Sequence, residues 1–196
     1  MLAVLVGGFD NEGKSGVIGR IVNRALKLDE NGPITIILND IGEKDLNEAI
    51  SNAEAIQIEE LRGGCVCCSM GSDLIRILKK NGVAASSVIV FEAAGTCDMR
   101  QLKESIKASD CASPSIQSYY VVDASTLPQL MEIIPIIKDN IIFSDTIILT
   151  GISGKDQDMV EEYIRLLREV DDDIFINTYN DIYIILTKKN RVVSLT

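Results

Sequence analysis

The sequence predicts an α/β domain with a mostly parallel central sheet, helices on both faces and a C-terminal β-hairpin. Three observations carry that prediction. Short β-branched apolar runs alternate with longer segments of helical period, the pattern of crossover βαβ units. Most of these runs are apolar throughout instead of alternating with polar residues, as strands buried on both faces must be. The first run passes through a glycine-rich octapeptide directly into an amphipathic segment.

Taken in order, strands are expected at 3–7, 34–39, 55–59, 87–92, 118–123, 146–150 and 174–177. Val17, Ile18, Ile21, Val22, Ala25 and Leu26 recur at spacings of three and four and form the apolar stripe of the first helix. Further stripes predict helices over 73–80, 99–108, 127–138 and 159–170. Beyond Asp181 two β-rich runs, 182–187 and 191–195, flank Lys188-Lys189-Asn190 and read as a closing hairpin. No internal repeat or linker interrupts the chain, and 196 residues suit one domain over 1–196 with a core that needs no disulfide or metal staple.

Composition narrows the function classes. A net charge of −10 without a large Lys/Arg cluster argues against a nucleic-acid partner, because affinity for a phosphate backbone requires concentrated positive charge. No apolar run reaches the roughly 18 to 20 residues of a membrane helix, since Glu132, Lys138 and Asp139 interrupt the best candidate. The first residues, Met1 to Val6, lack the basic start of a signal peptide and are followed by Asp10 and Glu12, so they read as a buried strand. Of the 5 cysteines, Cys65, Cys67 and Cys68 are clustered, an odd-numbered set that suggests metal or redox chemistry in the cytoplasm and not a disulfide framework.

Gly8-Phe9-Asp10-Asn11-Glu12-Gly13-Lys14-Ser15 satisfies GxxxxGK[ST] after a buried strand and before an amphipathic helix, the context of a phosphate-binding P-loop. Gly8, Asp10, Asn11, Glu12, Gly13 and Gly16 supply backbone around the phosphates, where amide N–H groups and the helix N-terminus favour an anion. Lys14 reaches the β and γ oxygens, and Ser15 ligates Mg²⁺. Glu12 is discordant, since a carboxylate must face away from bound phosphates. Phe91-Glu92-Ala93-Ala94-Gly95 follows, with an acid at a strand end and a glycine three residues on. There Glu92 can hold the Mg²⁺ shell and the Gly95 N–H can sense the γ-phosphate. Lys14, Ser15 and Glu92 are thus the candidate catalytic residues.

Gly63-Gly64-Cys65-Val66-Cys67-Cys68 places three thiols in a segment that glycine lets bend, and thiolates favour soft or borderline metals such as Zn²⁺ or Co²⁺. Along an extended backbone Cys68 faces away from Cys65 and Cys67, so convergence requires a turn. Zinc normally takes four ligands, and the chain has no histidine. A carboxylate, a water or a second copy of the chain in a homodimer must complete such a site. The alternatives are reduced thiols packed as small hydrophobes, or a redox sensor.

In this order the motifs resemble the CobW family of metallochaperone GTPases, relatives of HypB and UreG, over roughly residues 3–155. The P-loop is similar to the family's GxxGxGK[ST]; Asn39 to Glu43 to its NE/NDFGE switch; Leu61 to Asp73 to the stretch around its GCxCC; and Glu92 to Gly95 to its ExxG. Asn140 to Asp145 is similar to its approach to the guanine-reading loop. The resemblance implies a GTP-driven protein that binds Zn²⁺ or Co²⁺ at Cys65, Cys67 and Cys68 and passes it to a client metalloprotein or cofactor-biosynthesis enzyme. Asp40 and Glu43 would lie in the switch as candidate additional ligands. The chain departs from the family where NKxD is expected, because Thr150-Gly151-Ile152-Ser153 lacks the aspartate that reads guanine. GTP and ATP therefore both stay open, as does a binding module without catalysis. No residue stands out to orient the attacking water, so turnover is expected to be slow. The family's second, C-terminal domain is expected to be absent.

Overall fold

A computed structural model describes residues 1–8, 11–27, 32–38, 50, 56–60, 74, 76–109, 115–155 and 157–178. The strands are β1 (Leu2–Gly8), β2 (Ile34–Leu38), β3 (Ile56–Glu60), β4 (Val88–Glu92), β5 (Ser115–Asp123), β6 (Thr146–Thr150) and β7 (Ile176–Thr178). The helices are α1 (Asn11–Lys27), α2 (Asn81–Ala84), α3 (Met99–Ala108), α4 (Leu127–Ile133), α5 (Ile136–Phe143) and α6 (Gln157–Arg168). Within 73–80, residues 74 and 76–78 are helical. The C-terminal hairpin predicted beyond Asp181 lies outside the described residues.

All seven strands join one sheet in the order β3-β2-β4-β1-β5-β6-β7, with every pairing parallel. Strand β1 is central, between β4 and β5. From β1 the chain crosses to β2 on one side, and from β4 it crosses over β1 to β5 on the other. The sheet therefore switches direction at β1 and β4, and a crevice opens outside their carboxyl ends, where open α/β sheets bind ligands.

Alternation along β1 divides the core in two. Val4 and Val6 pack with Val17, Ile18, Ile21 and Val22 of α1 on one face. Ala3 and Leu5 face the opposite cluster, with Leu102 and Ile106 of α3, Ile137 and Ile141 of α5 and Leu167 of α6. Helices thus cover both faces, as the uniformly apolar strands required.

The helix expected over 127–138 is instead two helices. Pro135 has no N–H to continue α4, and it forces the preceding residue out of helical geometry: Ile134 is extended at φ −122°, ψ 93°. Pro135, at φ −56°, then starts α5 in a new direction. The break matters because it sets the rotation at which Asn140 enters the core.

Leu5 is 0% exposed and Ile133 is 74% exposed. Denaturant unfolding should give a loss of about 3 to 5 kcal/mol for Leu5→Ala, with its cavity in the central strand, and a change within about 0.5 kcal/mol for Ile133→Ala.

Candidate functional site

The end of β1 is shaped by the absence of side chains. Gly8 has φ +155°, and a Cβ there would lie 2.6 Å from the Val121 carbonyl oxygen of β5. A Cβ at Gly7 would lie 2.7 Å from Met99 Sδ and 2.9 Å from Tyr120 Cδ2, while one at Gly13 would lie 2.7 Å from Val121 Cγ1. Glycine at 8 and 13 therefore lets the first turn of α1 sit against the ends of β5 and β6, with its N-terminus at the crevice. Positive helix-end potential and unpaired amides at that point favour an anion.

Lys14, in the first turns of α1, is 2% exposed. Its ammonium donates to the Ala93 carbonyl at 3.3 Å and lies 3.8 Å from Glu92 Oε1. Glu92 is 6% exposed at the last position of β4, opposite Val6. Two residues 78 positions apart, predicted from separate motifs, thus meet as a buried ion pair. Removing either partner takes the opposite charge away from a buried one, which is costly. Ser15 and Gly16 follow half-buried on α1, and Gly95 is half-buried beyond Glu92. A hydroxyl, a carboxylate and an ammonium on these elements form a donor set suited to Mg²⁺ and phosphate oxygens.

The segment after Glu92 is held from behind by two buried side chains to which the sequence motifs assign no such role. Tyr120 of β5 donates its hydroxyl to the Gly95 carbonyl at 3.1 Å. Asn140 of α5, 1% exposed, donates to the Cys97 carbonyl at 2.7 Å and accepts from the Met99 N–H at 2.9 Å. Burial pushes the Tyr120 phenol up to about 12. A signal for Asn140 was present: one amide set between Ile137 and Ile141 on the buried face of a helix must find partners. Tyr120 offered none, because a tyrosine in a buried strand reads as core.

The loop in place of NKxD is constrained sterically. Gly151 has φ +69°, and the Asp123 carboxylate occupies the space where its Cβ would lie. Asp123 is itself fixed by the Ser125 backbone N–H, which donates to Oδ1 at 2.8 Å. A side chain at position 151 would therefore be strained by the backbone conformation and would have to displace the Asp123 carboxylate. Upstream, Asp145 Oδ2 accepts from the Ser118 N–H at 2.8 Å and hydroxyl at 2.7 Å, tying the entry of β6 to β5.

The other predicted positions, Asp10, the side chains of Asn11 and Glu12, Asp40, Glu43, Cys65, Cys67 and Cys68, lie outside the described residues. The elements flanking the cysteine segment are joined by Glu59 of β3 and Lys80, whose Nζ donates to Oε2 at 2.5 Å. That hydrogen bond holds the Glu59 carboxyl below its ordinary range. The stabilisation is present above the unfolded carboxyl value and lost as pH falls through the folded one. Among the described residues, no helix is long and apolar enough to cross a membrane.

A seven-stranded parallel sheet with a P-loop sequence joining its central strand to the first helix defines the α/β P-loop class. Within that class, the chain belongs to the CobW/HypB/UreG nucleotide-binding domain family, whose model matches residues 2–176. It is 24% identical over 175 residues to the zinc chaperone YjiA of Escherichia coli K12, an alignment covering 83% of this chain and 53% of that protein. The chain therefore spans about half the length of this curated relative. Among solved structures it is similar to Zn(II)-bound YjiA GTPase from E. coli, at TM-score 0.58 and 19% identity over 91% of this chain and 57% of that one. FtsY from Mycoplasma mycoides matches at TM-score 0.60 and 16% identity, over 90% and 59%. FlhF complexed with GMPPNP and Mg²⁺ matches at TM-score 0.57 and 15% identity, over 98% and 70%. At these identities the structural matches establish the fold.

Two outcomes follow from the geometry. Gly8→Ala should cost about 1 to 3 kcal/mol of stability in denaturant unfolding, from backbone strain and the Val121 clash. In alkaline absorbance titration, Tyr120 should ionise only near 12, and Tyr120→Phe should remove that late step. Because the folded value is raised above the unfolded one, stability from this group is intact below about 10 and is lost as pH rises towards 12.

Proposed function

We propose that this chain is a nucleotide-dependent metal carrier, in which the phosphates of a nucleoside triphosphate bind at the α1 N-terminus and their state governs a metal held by Cys65, Cys67 and Cys68. The observation that carries the reading is the buried Lys14–Glu92 pair at the sheet's switch point. The pair places a cation for the phosphates and a carboxylate for their Mg²⁺ in one crevice, in a chain of the CobW/HypB/UreG family. Ser15 and Glu92 hold Mg²⁺, which when bound neutralises charge on the β and γ oxygens. Lys14 orients those oxygens, and the Gly95 N–H reports the γ-phosphate. Gly8, Asp10, Asn11, Glu12, Gly13 and Gly16 wrap the phosphates with backbone. Asp40 and Glu43 belong to the switch that connects nucleotide state to the metal.

The cargo is a divalent transition metal. Thiolate donors favour zinc or cobalt, and YjiA is named a zinc chaperone. The recipient is a client metalloprotein or cofactor-biosynthesis enzyme, and a homodimer could supply the fourth ligand. Hydrolysis is slow, since no general base lies among the candidate residues. The crowding of Gly151 by Asp123 supports a weakened guanine preference, because the loop lacks both the lysine and the aspartate of NKxD. That observation favours a second reading, a nucleotide- and metal-binding regulatory module that accepts ATP as well as GTP and turns over neither.

Titration of the chain with Mg-GTP and Mg-ATP, with and without Zn²⁺ or Co²⁺, tests both. The carrier reading expects phosphate release that Lys14→Ala reduces at least 100-fold, the scale of lost transition-state charge stabilisation. It also expects metal affinity that differs between the triphosphate and diphosphate states. Cys65→Ser, Cys67→Ser, Cys68→Ser should lose the metal and keep the nucleotide. Equal metal affinity in all nucleotide states would remove the coupling, and binding without phosphate release would select the module.

A further inference from the structure

We infer that Tyr120 and Asn140 are positioning residues that preorganise the backbone of 95–99 for a nucleoside triphosphate and thereby set the preference for triphosphate over diphosphate. The inference rests on the nucleotide-binding reading above and assigns to that site two residues that contribute no side chain to the phosphate loop. Three backbone groups within five residues, the Gly95 carbonyl, the Cys97 carbonyl and the Met99 N–H, are each engaged by one of these two side chains. The two side chains thus hold successive parts of one segment, Tyr120 at Gly95 and Asn140 at Cys97 and Met99.

Both groups are only 1% exposed. Neither can exchange its partner for bulk water, so the bonds they make are retained unless the segment itself moves. Tyr120 is also immobile. Its ring abuts β1 where a Cβ on Gly7 would lie 2.9 Å from Cδ2, and its strand is paired on both sides. The hydroxyl is therefore a fixed reference point on the same strand register that forms the P-loop. A hydrogen bond from a fixed donor to the Gly95 carbonyl restricts rotation of a glycine, the residue with most backbone freedom to lose. With that freedom removed in advance, the Gly95 N–H needs less ordering when a γ-phosphate arrives.

Asn140 performs the same task two and four residues on, at Cys97 and Met99. It holds Met99, the first residue of α3, whose N-cap Asp98 accepts the Gln101 N–H at 3.0 Å. Helices α3 and α5 are further joined by Lys103, which donates to the Phe143 carbonyl at 2.7 Å, and by Arg100 stacked 4.9 Å over the Phe143 ring. The segment 95–99 is thus anchored to a two-helix unit at one end and to the P-loop strands at the other. A diphosphate, which ends short of Gly95, gains nothing from this arrangement. A triphosphate gains the whole of it.

The test is the ratio of affinities for a slowly hydrolysed triphosphate analogue, GTPγS or ATPγS according to which binds, and its diphosphate, each with Mg²⁺. Tyr120→Phe keeps the ring and should lower the ratio about fivefold, the scale of one neutral hydrogen bond, by weakening the triphosphate while diphosphate affinity holds. Asn140→Leu should lower it further. Ile34→Ala on β2, destabilising but buried in the cluster on the opposite face of the sheet, should leave the ratio unchanged. Should Asn140→Leu fail to fold, hydrogen exchange on the wild-type chain serves in its place: the Met99 amide should gain protection with the triphosphate analogue and not with the diphosphate. A ratio that is unchanged or raised in Tyr120→Phe, or Met99 protection equal with both nucleotides, overturns the inference and leaves the nucleotide site standing. Failure of the wild-type chain to bind any of these nucleotides overturns both.

Discussion

The constraint on which the site depends is the burial of the Lys14 ammonium. An isolated ammonium out of water is costly by several kcal/mol, so its position is tenable only where acceptors are already in place. The structure supplies two, the Glu92 carboxylate and the Ala93 carbonyl, both at the end of the strand beside β1. Their supply requires β4 to end beside the last residues of β1 and α1 to start just beyond β1. The parallel register, Val6 opposite Glu92, meets the first condition. The glycines at 8 and 13 meet the second, because any side chain there would push α1 off the sheet.

The same geometry explains why the crevice can respond to phosphate. A carboxylate 3.8 Å from the ammonium holds it without a tight hydrogen bond, and bound phosphate oxygens can share it. The segment carrying that carboxylate continues into 95–99, which is held by Tyr120 and Asn140 and not by sheet pairing. Strand β4 is fixed by ladders on both sides, whereas 95–99 lie beyond the sheet and are held by the Cys97 N–H on the Ala94 carbonyl together with the Tyr120 and Asn140 side chains. Rigidity at the phosphates and limited freedom beyond them are therefore adjacent in the chain. The buried leucine, isoleucine and valine clusters on both faces make the sheet a fixed frame for that step.

Much of the architecture was legible before the structure. Strands buried on both faces leave an unbroken apolar run, and helices against a sheet leave a stripe, so Ile34–Leu38, Val88–Glu92, Met99–Ala108 and Thr146–Thr150 fall where the runs and stripes predict. The split at Pro135 was the clearest miss. The periodicity of apolar residues continues through 127–138 because both helices face the same core, and periodicity does not register a change of axis. The proline was the available signal. The octapeptide between β1 and α1 was legible as a pattern because its glycines, lysine and serine are contiguous, and the position of Glu92 because a strand end is marked by the acid that stops an apolar run.

What the sequence determined by itself is the set of local patterns: strand, loop, helix, and the contiguous groups that suit phosphate and soft metal. These depend on neighbours in the chain, and spacing reveals them. Tertiary structure alone decided which distant residues meet. Lys14 and Glu92 form a pair because the crossover brings β4 beside β1. Tyr120 and Asn140 hold one segment, 95–99, because β5 and α5 converge behind it. Asp123 closes the space at Gly151 because β5 and β6 end side by side. The identity of the partners leaves no mark in the local pattern, since the residues are tens of positions apart, even where a buried amide such as Asn140 signals that a partner is needed. The physical reason is that packing and desolvation act through space, so a buried polar group declares its need for a partner in the sequence but finds that partner only in the fold.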